Sequence, residues 1–178
     1  MNNISPQAST VASLYIEALR HNEPLWFRVA SNSMLPLLRK DDSVYIEPAQ
    51  AQDIRIGDIA AFETSSGLVI HRIVSIQQTQ KPIRLLQMSD VEVLPTWVKE
   101  QAVIGRVVSV RTTRRKNYSL DLHHPIARWC GKVTAVIRYR LYTYRNNMPL
   151  RTAMRIASRL ATHLSYWCIR CSCASPQK

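Results

Sequence analysis

Three residues in this chain have the types of a nucleophile, a general base and an orienting carboxylate: Ser33, His71 and Asp90. They lie 38 and 19 residues apart, too far for one helix face, so only a folded sheet brings them together. Such a set suits acyl transfer, in which the base takes the serine proton and the carboxylate fixes the imidazole. Each residue also has an ordinary explanation. Ser31 and Ser33 are good helix-capping residues ahead of Met34-Leu35-Pro36, His71 ends the apolar run Leu68–Ile70, and Asp90 follows Leu85–Met88 as a turn residue.

The elements that must position them are short. One helix is expected over 9–21, capped by Ser9 or Thr10 and broken by Asn22 to Pro24. Apolar runs follow at 26–30, 44–47, 59–62, 68–76, 83–88 and 104–111, rich in Val, Ile and Tyr and separated by polar turns. They predict a compact, mostly antiparallel β-domain, mainly β within the α+β class. Residues 112–124 read as a basic connector. Pro125 opens a helix to about Arg145, and Pro149 opens a second to about Trp167. The expected organisation is an N-terminal helix and entry over 1–23, a core over 24–111, the connector over 112–124 and a helical basic extension over 125–178.

The ordered boxes carry a family resemblance. Ser31-Asn32-Ser33-Met34-Leu35-Pro36 is followed by Asp41-Asp42, Gly57-Asp58, His71-Arg72, Asp90 and Gly105-Arg106. This order and spacing, over residues 24–110, resembles the signal peptidase I and SOS-repressor clan of serine peptidases. Members divide on the base, and His71 resembles the endoplasmic-reticulum and archaeal type, which uses Ser-His-Asp. Lys40, Lys81 and Lys99 are the lysines between the serine box and the end of the core, and none lies in the run ending at His71.

The resemblance implies a serine endopeptidase that cleaves leader or signal-type peptides without a cofactor or metal. Ser33 would be the nucleophile, His71 the base and Asp90 the orienter. The Ser33 N–H at a helix start and the Ser31 hydroxyl would bind the oxyanion, with Met34 lining a groove that takes substrate as an extended strand. The family usually has glycine before both turn aspartates, where this chain has Asp41 and Ser89. That departure keeps open a catalytically inactive, peptide-binding module of the same fold.

Charge is uneven. Residues 1–105 hold 9 Lys and Arg against 11 acids, whereas 106–178 hold 15 against Asp121 alone, within a total of +12. Such a segment suits an anionic partner, above all a membrane surface. Arg151, Arg155 and Arg159 recur every four residues opposite apolar positions, as in a basic amphipathic helix. Nucleic acid is disfavoured, because no recognition motif is present and the aromatics Trp129, Tyr139, Tyr142, Tyr144 and Trp167 fall on expected helices. A membrane-surface interaction protein is a further alternative. No secretory leader and no apolar run of about 18 residues is apparent, which predicts a cytoplasmic protein, peripheral at most. Cys130, Cys168, Cys171 and Cys173 lack paired metal-ligand spacing and read as free or palmitoylated thiols rather than a zinc site.

Overall fold

The computed structural model describes residues 6–65, 67–78, 82–92, 94–112 and 118–144, then 156, 159–160, 162–164, 166–169, 171 and 174–176. The helix α1 (Pro6–Arg20) precedes eight strands: β1 (Leu25–Arg28), β2 (Ser43–Pro48), β3 (Ile59–Thr64), β4 (Gly67–Gln77), β5 (Arg84–Met88), β6 (Thr96–Lys99), β7 (Val103–Arg111) and β8 (Tyr118–Asp121). The helix α2 (Pro125–Thr143) and the short β9 (Ala174–Pro176) complete the regular elements. All strand pairs are antiparallel, in the order β1-β2-β7-β3-β4-β5-β6, with β8 on β7 and β9 on β8. The mainly β fold expected from the sequence is the one formed.

β7 is the pivot. Residues 105–111 pair with β2, while the partner on the other edge changes from β3 at 103–106 to β8 at 109–111. Bulges at Tyr45/Ile46 and Ala61/Phe62 flank this crossing and let the sheet turn sharply. The sheet buries both faces of β3. Ile59 and Ala61 enter one core with Leu38, Val44 and Val110; Ala60 and Phe62 enter another with Ile73 and Leu85. That is why β3 reads as a continuous apolar run and not as an alternation.

α2 is built into this body. His124 caps it, accepting from Ile126 N at 3.3 Å, and Pro125 supplies the first turn. Ala127 and Cys130 enter the first core, and Ala135 packs with Val74, Leu86 and Met88. Gly57 (φ +99°) and Gly131 make the docking close. A Cβ on Gly57 would stand 2.5 Å from the Lys132 backbone nitrogen, and one on Gly131 would stand 2.8 Å from the Gly57 carbonyl.

Two details differ from expectation. The connector contains β8, because Leu120 is buried opposite Val110 and its neighbours complete the free edge of β7. β6 is an exposed edge strand whose alternation is too short to read from sequence. The expected start of the second C-terminal helix, 149–155, lies outside the described residues, whereas Ile156 and most described residues to Cys171 are helical.

Candidate functional site

Ser33 sits where the chain leaves β1 and turns back toward β2. The helix expected after it is a single turn, closed by Leu38 N donating to Met34 O at 2.9 Å. Pro36 has no N–H with which to extend that turn. Met34 anchors the turn instead of lining a groove: it is 2% exposed and packs in the core with Leu37 and Leu38. Its side chain is part of the first core, with Leu19, Val44 and Val110.

Ser31 and Ser33 are brought together. The Ser31 hydroxyl donates to Ser33 Oγ at 3.1 Å and lies 3.4 Å from the Ser33 N–H, which donates to it. The two donors of the expected oxyanion pair are thus neighbours, engaged here with each other and with Ser33 Oγ. The Ser33 carbonyl is held from the far side by the Ser89 hydroxyl at 2.6 Å and by Val91 N at 3.1 Å.

His71 is half-buried on β4, opposite Ala60 of β3. Its Nδ1 meets the Gln87 amide oxygen on β5. With that oxygen as acceptor, Nδ1 carries the proton and Nε2 keeps its lone pair. Burial pushes the imidazole pKa below 6.5, partly opposed by the Gln87 hydrogen bond and the charges of Asp90 and Glu92. Burial thus favours the neutral imidazole. Among the described residues no hydrogen bond joins it to Ser33 Oγ.

Asp90 does not take the position expected of it. Its carboxylate, fully buried, is gripped by Arg72, whose Nε donates to Oδ1 at 2.9 Å and Nη2 to Oδ2 at 2.7 Å. Strand parity gives the reason. Arg72 is paired with Met88 and Ile73 with Gln87, so side chains 72 and 88 share one face while 71, 73 and 87 share the other. Asp90 falls in step with Arg72, and Gln87 with His71. The acceptor at His71 Nδ1 is therefore a neutral amide, and Asp90 reaches His71 through its field alone.

Asp90 is also the hub of a second clamp. Arg138 of α2 donates to the carbonyls of Asp90 at 2.8 Å, Ser89 at 2.6 Å and Glu92 at 2.6 Å, with its Nε 3.9 Å from Asp90 Oδ1. Burial works against the charge of both guanidiniums. For Arg72 the charge and hydrogen bonds of Asp90, with Asp58, more than offset it and raise the pKa; for Arg138 burial and the repulsion of Arg72 outweigh Asp90 and lower it. A chain of contacts thus runs from α2 through the 89–92 loop to the Ser33 carbonyl.

The departures from the glycine pattern separate. Asp41 adopts φ +74°, a left-handed conformation that aspartate tolerates, and pairs with Arg28 at 3.1 Å. Among the described non-glycine residues only Asn22 and Asp41 have positive φ, so Ser89 occupies its turn without that strain. Its hydroxyl does work a glycine could not, holding Ser33 O while accepting from Val91 N and Glu92 N.

Gln87 and Arg138 were not singled out from the sequence, which marks Arg72 and Ser89 only as a box residue and a glycine replacement, not as the partners of Asp90 and of the Ser33 carbonyl. Strand parity across β4 and β5 was the available signal for Gln87. Cys130 is buried in α2, whereas Cys168 and Cys171 are exposed; Cys173 lies outside the described residues. Among the described residues no group of three His, Cys, Asp or Glu side chains could hold a metal, and no helix is long and apolar enough to cross a membrane. No family model matches the chain, and no curated protein matches it.

Proposed function

We propose that this protein is a serine endopeptidase resembling the Ser-His type of signal peptidase, acting on leader or signal-type peptides held as an extended strand. The observation that carries the reading is the Ser31–Ser33 hydroxyl contact on a turn whose Ser33 carbonyl is held by Ser89; the hydrogen bond of His71 Nδ1 to Gln87, which leaves Nε2 as the free acceptor, supports it. In this mechanism Ser33 Oγ attacks the scissile carbonyl carbon while His71 Nε2 takes the serine proton. The carbonyl oxygen becomes an oxyanion bound by the Ser33 N–H and the Ser31 hydroxyl, each such donor contributing about 3–4 kcal/mol in the transition state. His71 then passes its proton to the departing amine. A water molecule then gives a proton to His71 and its oxygen to the acyl carbon; the acyl–Ser33 ester bond breaks as His71 returns that proton to Ser33 Oγ, and the carboxylic acid product leaves.

Gln87 orients the imidazole, as an amide does in Cys-His-Asn peptidases. Asp90 acts from a distance, favouring the imidazolium that forms during attack. The reading places the enzyme in the cytoplasm, at most peripheral to a membrane. A non-catalytic peptide-binding module is the second reading, favoured by the absence of a Ser33–His71 hydrogen bond among the described residues. Purified protein incubated with a peptide library and read by mass spectrometry separates them. The first reading expects cleavage that is lost in Ser33→Ala and in His71→Ala. Binding of peptides without cleavage supports the second.

A further inference from the structure

Among the described residues of the C-terminal segment, an apolar stripe is exposed. Ile156, Leu160, Leu164 and Trp167 are each 57–64% exposed. At about 100° per residue they fall within about 80° of one another around the helix. Ile169 (3% exposed) and Thr162 (7%) lie on the opposite side, and Ile169 joins the first core. The helical residues after 156 are therefore docked by one face and present their larger apolar side chains on the other. A soluble protein seldom leaves such a row bare without a partner for it.

The charge around the stripe selects the partner. After Asp121 the chain has no acidic side chain, and 106–178 carries a net +14. Arg159 is exposed beside the stripe, and Arg151, Arg155 and Arg170 belong to the same stretch of sequence. A second copy would bring two such polycations face to face, which opposes self-association. A nucleic acid would pair with the arginines but leave the Ile-Leu-Leu-Trp row in water. An anionic lipid surface takes both, burying the row among acyl chains and the arginines among headgroups. We infer that the exposed face of residues 156–171 docks this protein, in the plane of the interface, on anionic membranes. The inference does not rest on peptidase activity.

The full-length chain is sedimented with sucrose-loaded vesicles of phosphatidylcholine alone and of phosphatidylcholine with a quarter phosphatidylglycerol. Docking predicts pelleting with the anionic vesicles at low salt, little with the neutral ones, and progressive release as salt shortens the screening length. The double variant Leu160→Glu/Leu164→Glu, changed only at exposed positions, should bind at least about tenfold more weakly while its circular dichroism and melting temperature stay as in the wild type. Arg159→Gln should weaken binding by a smaller factor and reduce its salt dependence. Absence of pelleting at low salt overturns the inference, as does equal binding by the double variant. A dimer that the double variant dissociates, without vesicle binding by wild type, shows a second copy covers the stripe and also overturns it.

Discussion

Asp90→Asn tests what Asp90 is for. In the native protein one carboxylate, fully buried, faces two buried guanidiniums, those of Arg72 and Arg138. The substitution removes the negative charge that faces both guanidiniums, leaving Asp58 as the remaining acid acting on Arg72, and turns an N–H₂ group and a single amide oxygen toward donors that had two charged acceptors. Breaking a buried ion pair from one side costs about 3–5 kcal/mol, because the remaining charge stays buried without its partner. Both side chains of the Arg72–Asp90 pair are at most 5% exposed, so solvent gives little relief. Against a total stability of about 5–15 kcal/mol this is a large fraction. With a urea m-value of about 2 kcal/mol/M, the unfolding midpoint should fall by about 2 M. Urea titration followed by far-ultraviolet circular dichroism reads this directly. A midpoint lowered by less than about 0.5 M refutes the argument. If cleavage were abolished at the same time, Asp90 would be the orienter of His71 after all and its pairing with Arg72 secondary.

Gln87→Leu should leave the midpoint within about 0.5 M of wild type but lower kcat on the order of a hundredfold, since Nδ1 loses the acceptor that fixes the tautomer; cleavage assays alongside urea titration check both. The pH profile of kcat/KM should show an acid limb below pH 6.5, because His71 must be neutral to accept a proton and burial lowers its pKa. The same shift acts on stability. The unfolded chain takes up the His71 proton first as pH falls, so this contribution is complete above 6.5 and lost below it through the lower folded value, measurable in the Tm difference between wild type and His71→Phe. Gly57→Ala should cost about 2–5 kcal/mol by thermal unfolding, from a left-handed backbone at φ +99° and a Cβ driven into the Lys132 backbone.

Much of this was legible in the sequence, for local reasons. Val44 and Ile46 alternate with Tyr45 and Glu47, and the structure buries the first pair and half-exposes the second. Pro125 announces α2 through its missing N–H and fixed φ. The serine box brings Ser31 and Ser33 together because two residues of one turn have little choice. What failed to show was non-local. Whether His71 faces Gln87 or Asp90 depends on a register in which a one-residue slip exchanges the two. Met34 resembles a groove residue until the core beneath it is known. Arg138 counted as one more cation in a basic extension, yet it is buried and spends its donors on three carbonyls some 46–49 residues away.

That reach gives the site an order of assembly. Arg72, Asp90 and the serine turn are all present once the first half of the chain has been made, whereas the guanidinium that ties down residues 89–92 arrives 48 residues after Asp90. At about 5–20 residues per second a ribosome needs roughly 2–10 seconds to supply it. During that interval the nascent chain carries its serine turn and its 89–92 loop without the guanidinium that holds the loop. The turn that carries Ser33 is thus secured through residues 89–92 only once α2 has been made.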